Sequence, residues 1–295
     1  MTQAKFQNLT NRTFLLGVGA QKTGTTWLNA YLGKHPQVTL SPIKELHYFD
    51  QLYRPDLGVG WSERLASSLR RIAQTHGDRL EAFAEHAWPI IERLRMVNNH
   101  DAYLAYFDRL ASGGADVVGE ITPSYALIPA AGYREMHEFL GRYVGQIKVV
   151  FIMRDPVDRF WSQLGHDVRG GKISSANDYV SAGLKQPHYL ERTRYDTTIT
   201  QLETVFEPGS IKYLFFESLF CEATLREVCD FLNVDFFEPP PGFYQQKVNR
   251  SASEPRSTET TIQIRDEFRS VYDFIFRKFG DVVPGRWRDI YSLAA

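Results

Sequence analysis

Short apolar runs alternate along this chain with amphipathic stretches of helical length. Phe14-Leu15-Leu16-Gly17-Val18 reads as a buried strand, and a Gly/Thr-rich turn leads from it into a helix carrying Trp27, Leu28, Tyr31 and Leu32. Gly33 and Pro36 end that helix. Residues 38–40, 117–119, 148–153 and 211–216 are further short apolar strands, each separated from the next by helix-length segments. Strands apolar on both faces and joined by helices predict an α/β fold in three layers. Its centre is a mainly parallel sheet of about five strands flanked by helices.

Residues 51–110 break this rhythm. Leu65, Leu69 and Ile72, then Phe83, Trp88, Ile91 and Leu94, mark the core-facing sides of two or three helices with no strand between them. We read this stretch as a helical insertion beside the sheet, covering a site. After the rigid turn Glu238-Pro239-Pro240-Pro241-Gly242, residues 243–257 are polar and loop-like and hold Lys247, Arg250 and Arg256. A last long helix carries Ile264, Phe268, Val271 and Ile275 on one face and ends at Gly280. No repeat or low-complexity tract divides the chain, so residues 1–295 read as a single domain.

Composition narrows the classes. A chain of 295 residues can bury roughly three quarters of its unfolded surface without a disulfide or metal staple. With 34 Lys+Arg against 35 Asp+Glu, it lacks the bulk positive field that wrapping a nucleic acid requires. Any anion it binds must be held by a local cluster. Cys221 and Cys229, if both are helical, have Cα atoms about 12 Å apart, too far for a disulfide. Reduced thiols and an N-terminus without an apolar signal region predict a cytoplasmic protein. No run approaches about 18 apolar residues, so no membrane span is expected. The histidines lack H-E-x-x-H spacing and the cysteines lack partner ligands, so no metal site is expected.

The candidate chemistry begins at Gly19-Ala20-Gln21-Lys22-Thr23-Gly24-Thr25-Thr26, between the first strand and the first helix. A glycine-rich turn there aims backbone N–H groups and the positive helix end at one point, which makes an anion site. The spacing of Gly19 and Gly24 follows the nucleotide loop G-x-x-x-x-G-K-[ST], but Thr25 stands where the lysine belongs and Lys22 lies inside the loop. A second cluster follows the strand at 148–153. Ligands of open α/β sheets bind beyond the carboxyl ends of the strands, where Arg154 falls, and arginine offers paired donors suited to phosphate.

Gln21-Lys22-Thr23-Gly24-Thr25-Thr26-Trp27-Leu28 resembles the 5′-phosphosulfate loop, K-[TS]-G-T-T-W-L, of the sulfotransferases that use 3′-phosphoadenosine 5′-phosphosulfate (PAPS). Arg154-Asp155-Pro156, with Arg159 and Ser162, resembles their 3′-phosphate motif, R-D-P-x-x-R-x-x-S. Lys44-Glu45-Leu46-His47-Tyr48-Phe49-Asp50 looks like the K-E-x-x-[FY]-F-D segment of the heparan-sulfate-type and related bacterial enzymes. Gly119-Glu120-Ile121-Thr122-Pro123-Ser124-Tyr125 is similar to their G-E-[KS]-[ST]-P-x-Y string. The likeness runs in order over most of residues 12–235.

The resemblance implies a bacterial PAPS-dependent sulfotransferase with a P-loop-like fold. Such an enzyme moves a sulfuryl group to an acceptor hydroxyl, on a carbohydrate or small metabolite, and releases 3′-phosphoadenosine 5′-phosphate (PAP). It implies that Gln21, Lys22, Thr23, Gly24, Thr25, Thr26 and Trp27 hold the 5′-phosphosulfate, with Lys22 also stabilising the leaving oxygen. Sulfuryl carries less charge than a transferring phosphoryl, so a lysine and backbone donors can serve where kinases use Mg²⁺. Arg154 and Ser162 are expected on the 3′-phosphate, with Arg250 covering the donor from the 243–257 loop. Glu45 is the expected general base, since a carboxylate can take the hydroxyl proton within hydrogen-bond reach. Lys44, His47, Glu120, His166 and Arg169 are the expected acceptor contacts, and His47 is the rival base. Two other readings stay open. In an ATP-dependent kinase, residues 149–155 would form a Walker-B strand, against which stands the missing lysine after Gly24. In a non-catalytic nucleotide-binding protein, Glu45 would be idle.

Overall fold

The computed structural model of the protein describes residues 5–57, 61–246 and 254–294. In chain order the first half runs β1 (Thr13–Gly19), α1 (Thr25–Leu32), β2 (Val38–Leu40), α2 (Tyr48–Tyr53), α3 (Trp61–His76), α4 (Leu80–Met96), α5 (His100–Ala111), β3 (Val117–Ile121), α6 (Ala130–Gly141) and β4 (Gln146–Met153). The second half runs α7 (Pro156–Arg169), α8 (Ala176–Gly183), α9 (Pro187–Leu190), α10 (Tyr195–Glu203), β5 (Ile211–Phe215), α11 (Glu222–Leu232), α12 (Thr258–Glu267), α13 (Arg269–Phe279) and α14 (Gly285–Tyr291). The five strands form one sheet in the order β2-β3-β1-β4-β5, and every neighbouring pair is parallel. All five stand where the hydrophobic pattern put them.

Side chains alternate across a strand, and here both faces are apolar. Phe14, Leu16 and Val18 of β1 join Val149, Phe151 and Met153 of β4 in one core, covered by α5, α6, α7, α10 and α13. Leu15, Val150, Ile152 and Leu214 point the other way, onto α1 and α11. Three layers follow directly from that alternation. In the smaller core, Trp27 is fully buried and its Nε1 donates to the Phe243 carbonyl at 3.2 Å, while Tyr31 Oη donates to the Phe237 carbonyl at 2.8 Å. Burying each such ring contributes about 1.5–3 kcal/mol, and the two bonds tie the chain after α11 to the helix of the phosphate loop.

The insertion is helical, as expected, but α4 presents a different face. Trp88 and Ile91 are each 40% exposed, whereas Ala87, Glu92 and Met96 are buried. Glu92 can turn inward because Arg95 and Arg109 pair with its two oxygens at 3.3 and 3.1 Å. The last long helix is two helices: the chain breaks at Phe268, between α12 and α13, although Ile264, Phe268, Val271 and Ile275 are all buried. Cys221 caps α11 from outside and Cys229 lies within it; both are free thiols. Among the described residues, no helix is long and apolar enough to cross a membrane.

Candidate active site

β1 lies between β3 and β4, so the loops leaving the carboxyl ends of β1 and β4 are neighbours. The loop after β1 turns on two glycines. Gly19 sits at φ +139°, where a Cβ would fall 2.8 Å from the Pro123 carbonyl oxygen, and Gly24 sits at φ +88°, where one would fall 2.6 Å from Leu219 Cδ2. No other residue fits either place without displacing its neighbours. Thr23 Oγ1 closes the turn on the Ala20 carbonyl at 2.6 Å. Gly24 caps α1, whose first amides have no intrahelical acceptor. Lys22 is half-buried in this loop; burial above all, then the charges of Arg169, Arg154 and Arg159, lower its pKa to about 8. Cations held this close leave a deficit of negative charge that an anionic ligand would fill.

From β4, Arg154 reaches the same place. Its guanidinium lies 4.4 Å from the centre of the Phe216 ring, Nη1 donates to the Lys22 carbonyl at 3.4 Å, and the buried Nε has no protein partner. Pro156 opens α7, and the Asp155 carboxylate caps it by accepting from the Asp158 amide at 3.0 Å. Asp155 is fully buried, and its other oxygen accepts from Tyr272 Oη at 2.6 Å. Burial first, then the Asp158 charge, push its pKa up to about 7. For Asp158 burial acts in the same upward direction but is outweighed by Arg286 at 2.5 Å and Arg256 at 2.9 Å, which hold the carboxyl below its ordinary range. Both acids are therefore engaged within the protein; Asp155 does not line the cleft, whereas Asp158, paired with its two arginines, lines it together with Arg154 and Ser162.

The segment after β2 brings the carboxylate. Glu45 and His47 both adopt left-handed backbone at φ +57°, a conformation that non-glycine residues hold only when surrounding contacts enforce it. Lys44 Nζ donates to Thr26 Oγ1 at 2.5 Å and stands 3.5 Å from Glu45 Oε1, joining this segment to the phosphate loop. His47 Nε2 lies 3.7 Å from Glu45 Oε2, and its Nδ1 lies 2.7 Å from Asp50 Oδ2. Ser124 Oγ donates to that same Asp50 oxygen at 2.6 Å. Burial would lower the pKa of His47, but its hydrogen bonds to Asp50 and Glu45 prevail and raise it to about 9. Burial would raise Glu45, yet the hydrogen bond to His47 and the Lys44 charge outweigh it and hold the carboxyl below its ordinary value. At neutral pH the pair is an imidazolium beside a carboxylate, and only the carboxylate can accept a proton.

One cleft of about 1150 Å³ gathers nearly all of these groups. Gln21, Lys22, Thr23, Gly24, Thr25, Thr26 and Trp27 line it from the loop and α1, Lys44 and Glu45 from the segment after β2, and Arg154, Ser162, His166 and Arg169 from β4 and α7. His47 stands behind Glu45 and does not line the cleft. Glu120 is not brought to it either. In register with Leu16 on β3, it is buried beneath the site and accepts from Tyr103 Oη, Thr122 Oγ1 and Tyr125 Oη at 2.7, 2.6 and 2.9 Å. Burial is the leading cause that raises its pKa. The structure thus does not bring Glu120 to the acceptor contact expected of it. Arg250 and Lys247 lie outside the described residues.

The motifs also left groups unnamed. Phe216, Phe220 and Tyr244 make an aromatic wall with Trp27, whose ring centre lies 5.1 Å from that of Phe220. Arg256 enters the cleft over Trp161, at 5.7 Å, beside Ser162. Its charge in the polar 243–257 loop was the one available signal. Among the described residues, no three His, Cys, Asp or Glu side chains are grouped to hold a metal ion.

Comparison with known proteins bears on the family and the fold. The sequence profile of the Sulfotransferase family matches residues 15–239. The membrane-associated sulfotransferase kil1 of Dictyostelium discoideum is 27% identical over 146 residues, which is 50% of this chain but only 21% of that protein. A sulfotransferase from Alicyclobacillus acidocaldarius superposes with a TM-score of 0.65 at 20% identity, covering 95% of this chain and 100% of its own. The sulfotransferase domain of the Synechococcus PCC 7002 olefin synthase superposes with a TM-score of 0.52 at 20% identity, covering 88% and 95%. These two likenesses are of fold. With the profile spanning β1 to the chain beyond α11, the protein belongs to the sulfotransferase family.

Proposed function

We propose that this protein transfers the sulfuryl group of PAPS to the hydroxyl of a carbohydrate or small metabolite, within one domain and without a metal. The observation that supports this reading is the bond between Lys44 and Thr26, which joins the Glu45 segment to the phosphate loop in the cleft that Glu45 and Arg154 both line. In this reading the loop amides and the Thr25 and Thr26 side chains receive the 5′-phosphosulfate. Arg154, Ser162 and Arg256 receive the 3′-phosphate, and the aromatic wall of Trp27, Phe216, Phe220 and Tyr244 receives the adenine. Glu45 takes the acceptor proton as the acceptor oxygen bonds to sulfur. The bond from sulfur to the phosphate oxygen breaks, and Lys22 meets the charge that develops on that oxygen. Holding both substrates in line supplies much of the acceleration. The free thiols of Cys221 and Cys229 suit the reducing cytoplasm.

A kinase reading would need Asp155 to present an oxygen to Mg²⁺, and both its oxygens are engaged inside the protein. Thermal shift with PAP against ATP and Mg²⁺ tests the donor. Stabilisation by PAP at concentrations where ATP has no effect is expected, and a preference for ATP would overturn the proposal.

A further inference from the structure

The helical insertion reaches the base segment through one side chain. Arg93 of α4 donates from Nη2 to the Lys44 carbonyl at 2.7 Å and to the Glu45 carbonyl at 3.2 Å. Its buried Nε has no protein partner, and the hydrogen bonds of the side chain go to those two carbonyls. The rotation of α4 that aims it there is fixed one residue earlier, where buried Glu92 pairs with Arg95 and with Arg109 of α5. The backbone it grips is the stretch in which Glu45 and His47 take left-handed φ. Such a backbone persists only when its surroundings over-determine it, and Arg93 bonds the carbonyls of the two peptide units that flank the Glu45 Cα.

We propose that Arg93 is a positioning residue for the reaction: it fixes the Lys44–Glu45 backbone so that the Glu45 carboxylate is aimed into the donor cleft. The insertion is then part of the catalytic apparatus. This inference rests on the reading of Glu45 as base. Two effects of Arg93 are separable, its charge near the carboxylate and its grip on two carbonyls. Arg93→Gln removes both. Arg93→Lys keeps the charge and loses the grip, because both bonds come from Nη2 and the lysine nitrogen sits one bond nearer the backbone, short of the two carbonyls.

The test measures PAP released from PAPS with water as acceptor. Beside it runs a ¹³C NMR titration of the Glu45 carboxyl, assigned by its loss in Glu45→Gln. Lys44, His47 and Arg192 also face Glu45 and stay unchanged in these variants. The proposal expects Arg93→Lys to bind PAP like the parent and keep the Glu45 titration nearly in place, yet turn PAPS over about tenfold more slowly, since small displacements of a reacting group are costly. Arg93→Gln should lose more, with the Glu45 titration moved upward. If Arg93→Gln does not fold, Arg93→Lys decides alone. Turnover within about twofold of the parent in a variant that binds PAP normally overturns the proposal while leaving Glu45 as base. Full turnover by Glu45→Gln would instead remove the base, and this inference with it.

Discussion

His47 Nε2 stands 3.7 Å from Glu45 Oε2, and its other ring nitrogen faces Asp50 Oδ2 at 2.7 Å. An imidazole between two carboxylates is held protonated, so it serves the carboxylate beside it and is no base itself. Replacing His47 by Asn should therefore slow turnover without abolishing it. The acidic limb of the pH–rate profile should move upward, because Glu45 loses the hydrogen bond that lowers its pKa. An unmoved acidic limb, or activity lost as completely as in Glu45→Gln, would reverse the assignment.

The same pair has a stability signature. The folded pKa of His47, about 9, exceeds its ordinary 6.5. Its contribution is fully present below the lower value and is lost as pH rises through the higher one. The Tm difference between the parent and His47→Asn should be largest near about pH 6 and should close above about pH 9. A gap that widens with pH would contradict the assigned charge.

Lys22 gives a prediction of opposite form. With its pKa lowered to about 8, it is partly neutral in mildly alkaline solution, and a bound anion should recharge it. PAP binding at alkaline pH should take up a proton, seen calorimetrically as a dependence on buffer ionisation heat. Lys22→Arg, which stays charged throughout, should show none. Proton uptake that persists in Lys22→Arg would place the titrating group elsewhere.

Arg154 should be read by comparing ligands. Charge-assisted hydrogen bonds to phosphate contribute about 1.5–3 kcal/mol, so Arg154→Ala should weaken PAP by roughly ten- to a hundredfold. ADP, which lacks a 3′-phosphate, should change far less. Equal losses for both ligands would take Arg154 off the 3′-phosphate.

Glu120 should matter for folding. Glu120→Ala leaves three buried hydroxyls, on Tyr103, Thr122 and Tyr125, without their acceptor. Breaking such a buried network costs about 3 kcal/mol or more. Denaturant unfolding should show that loss while turnover per folded molecule is retained, and a specific loss of turnover would bring Glu120 back into the reaction.

What could be read in the sequence was local. β1 and β4 are buried on both faces, so they announce themselves as apolar runs, and a loop that needs glycine at two positive φ angles keeps glycine there. Glu120 was misplaced because the string around it does not say which way β3 turns; only the register with Leu16 points it into the core beneath the site. Arg93, Arg256 and Phe216 reach the site from three separate parts of the chain; the polar loop around Arg256 is a faint mark, and nothing in the immediate neighbours of Arg93 and Phe216 marks them. Trp88 and Ile91 misled for a related reason: Glu92 and its two arginines turn α4 so that an acid lies inside and two apolar side chains lie out.

The central claim is that the cleft transfers sulfuryl with Glu45 as the base. It is tested most directly by incubating radiolabelled PAPS with the parent protein and with Glu45→Gln, over a panel of soluble sugars and small hydroxylated compounds, and following label and PAP together. The account predicts that the parent moves label to an acceptor with matching release of PAP, and that Glu45→Gln still binds PAP but slows transfer by at least about a hundredfold. Transfer at the parental rate by Glu45→Gln, or label that stays on PAPS with every acceptor and in water while PAP binds tightly, would contradict it.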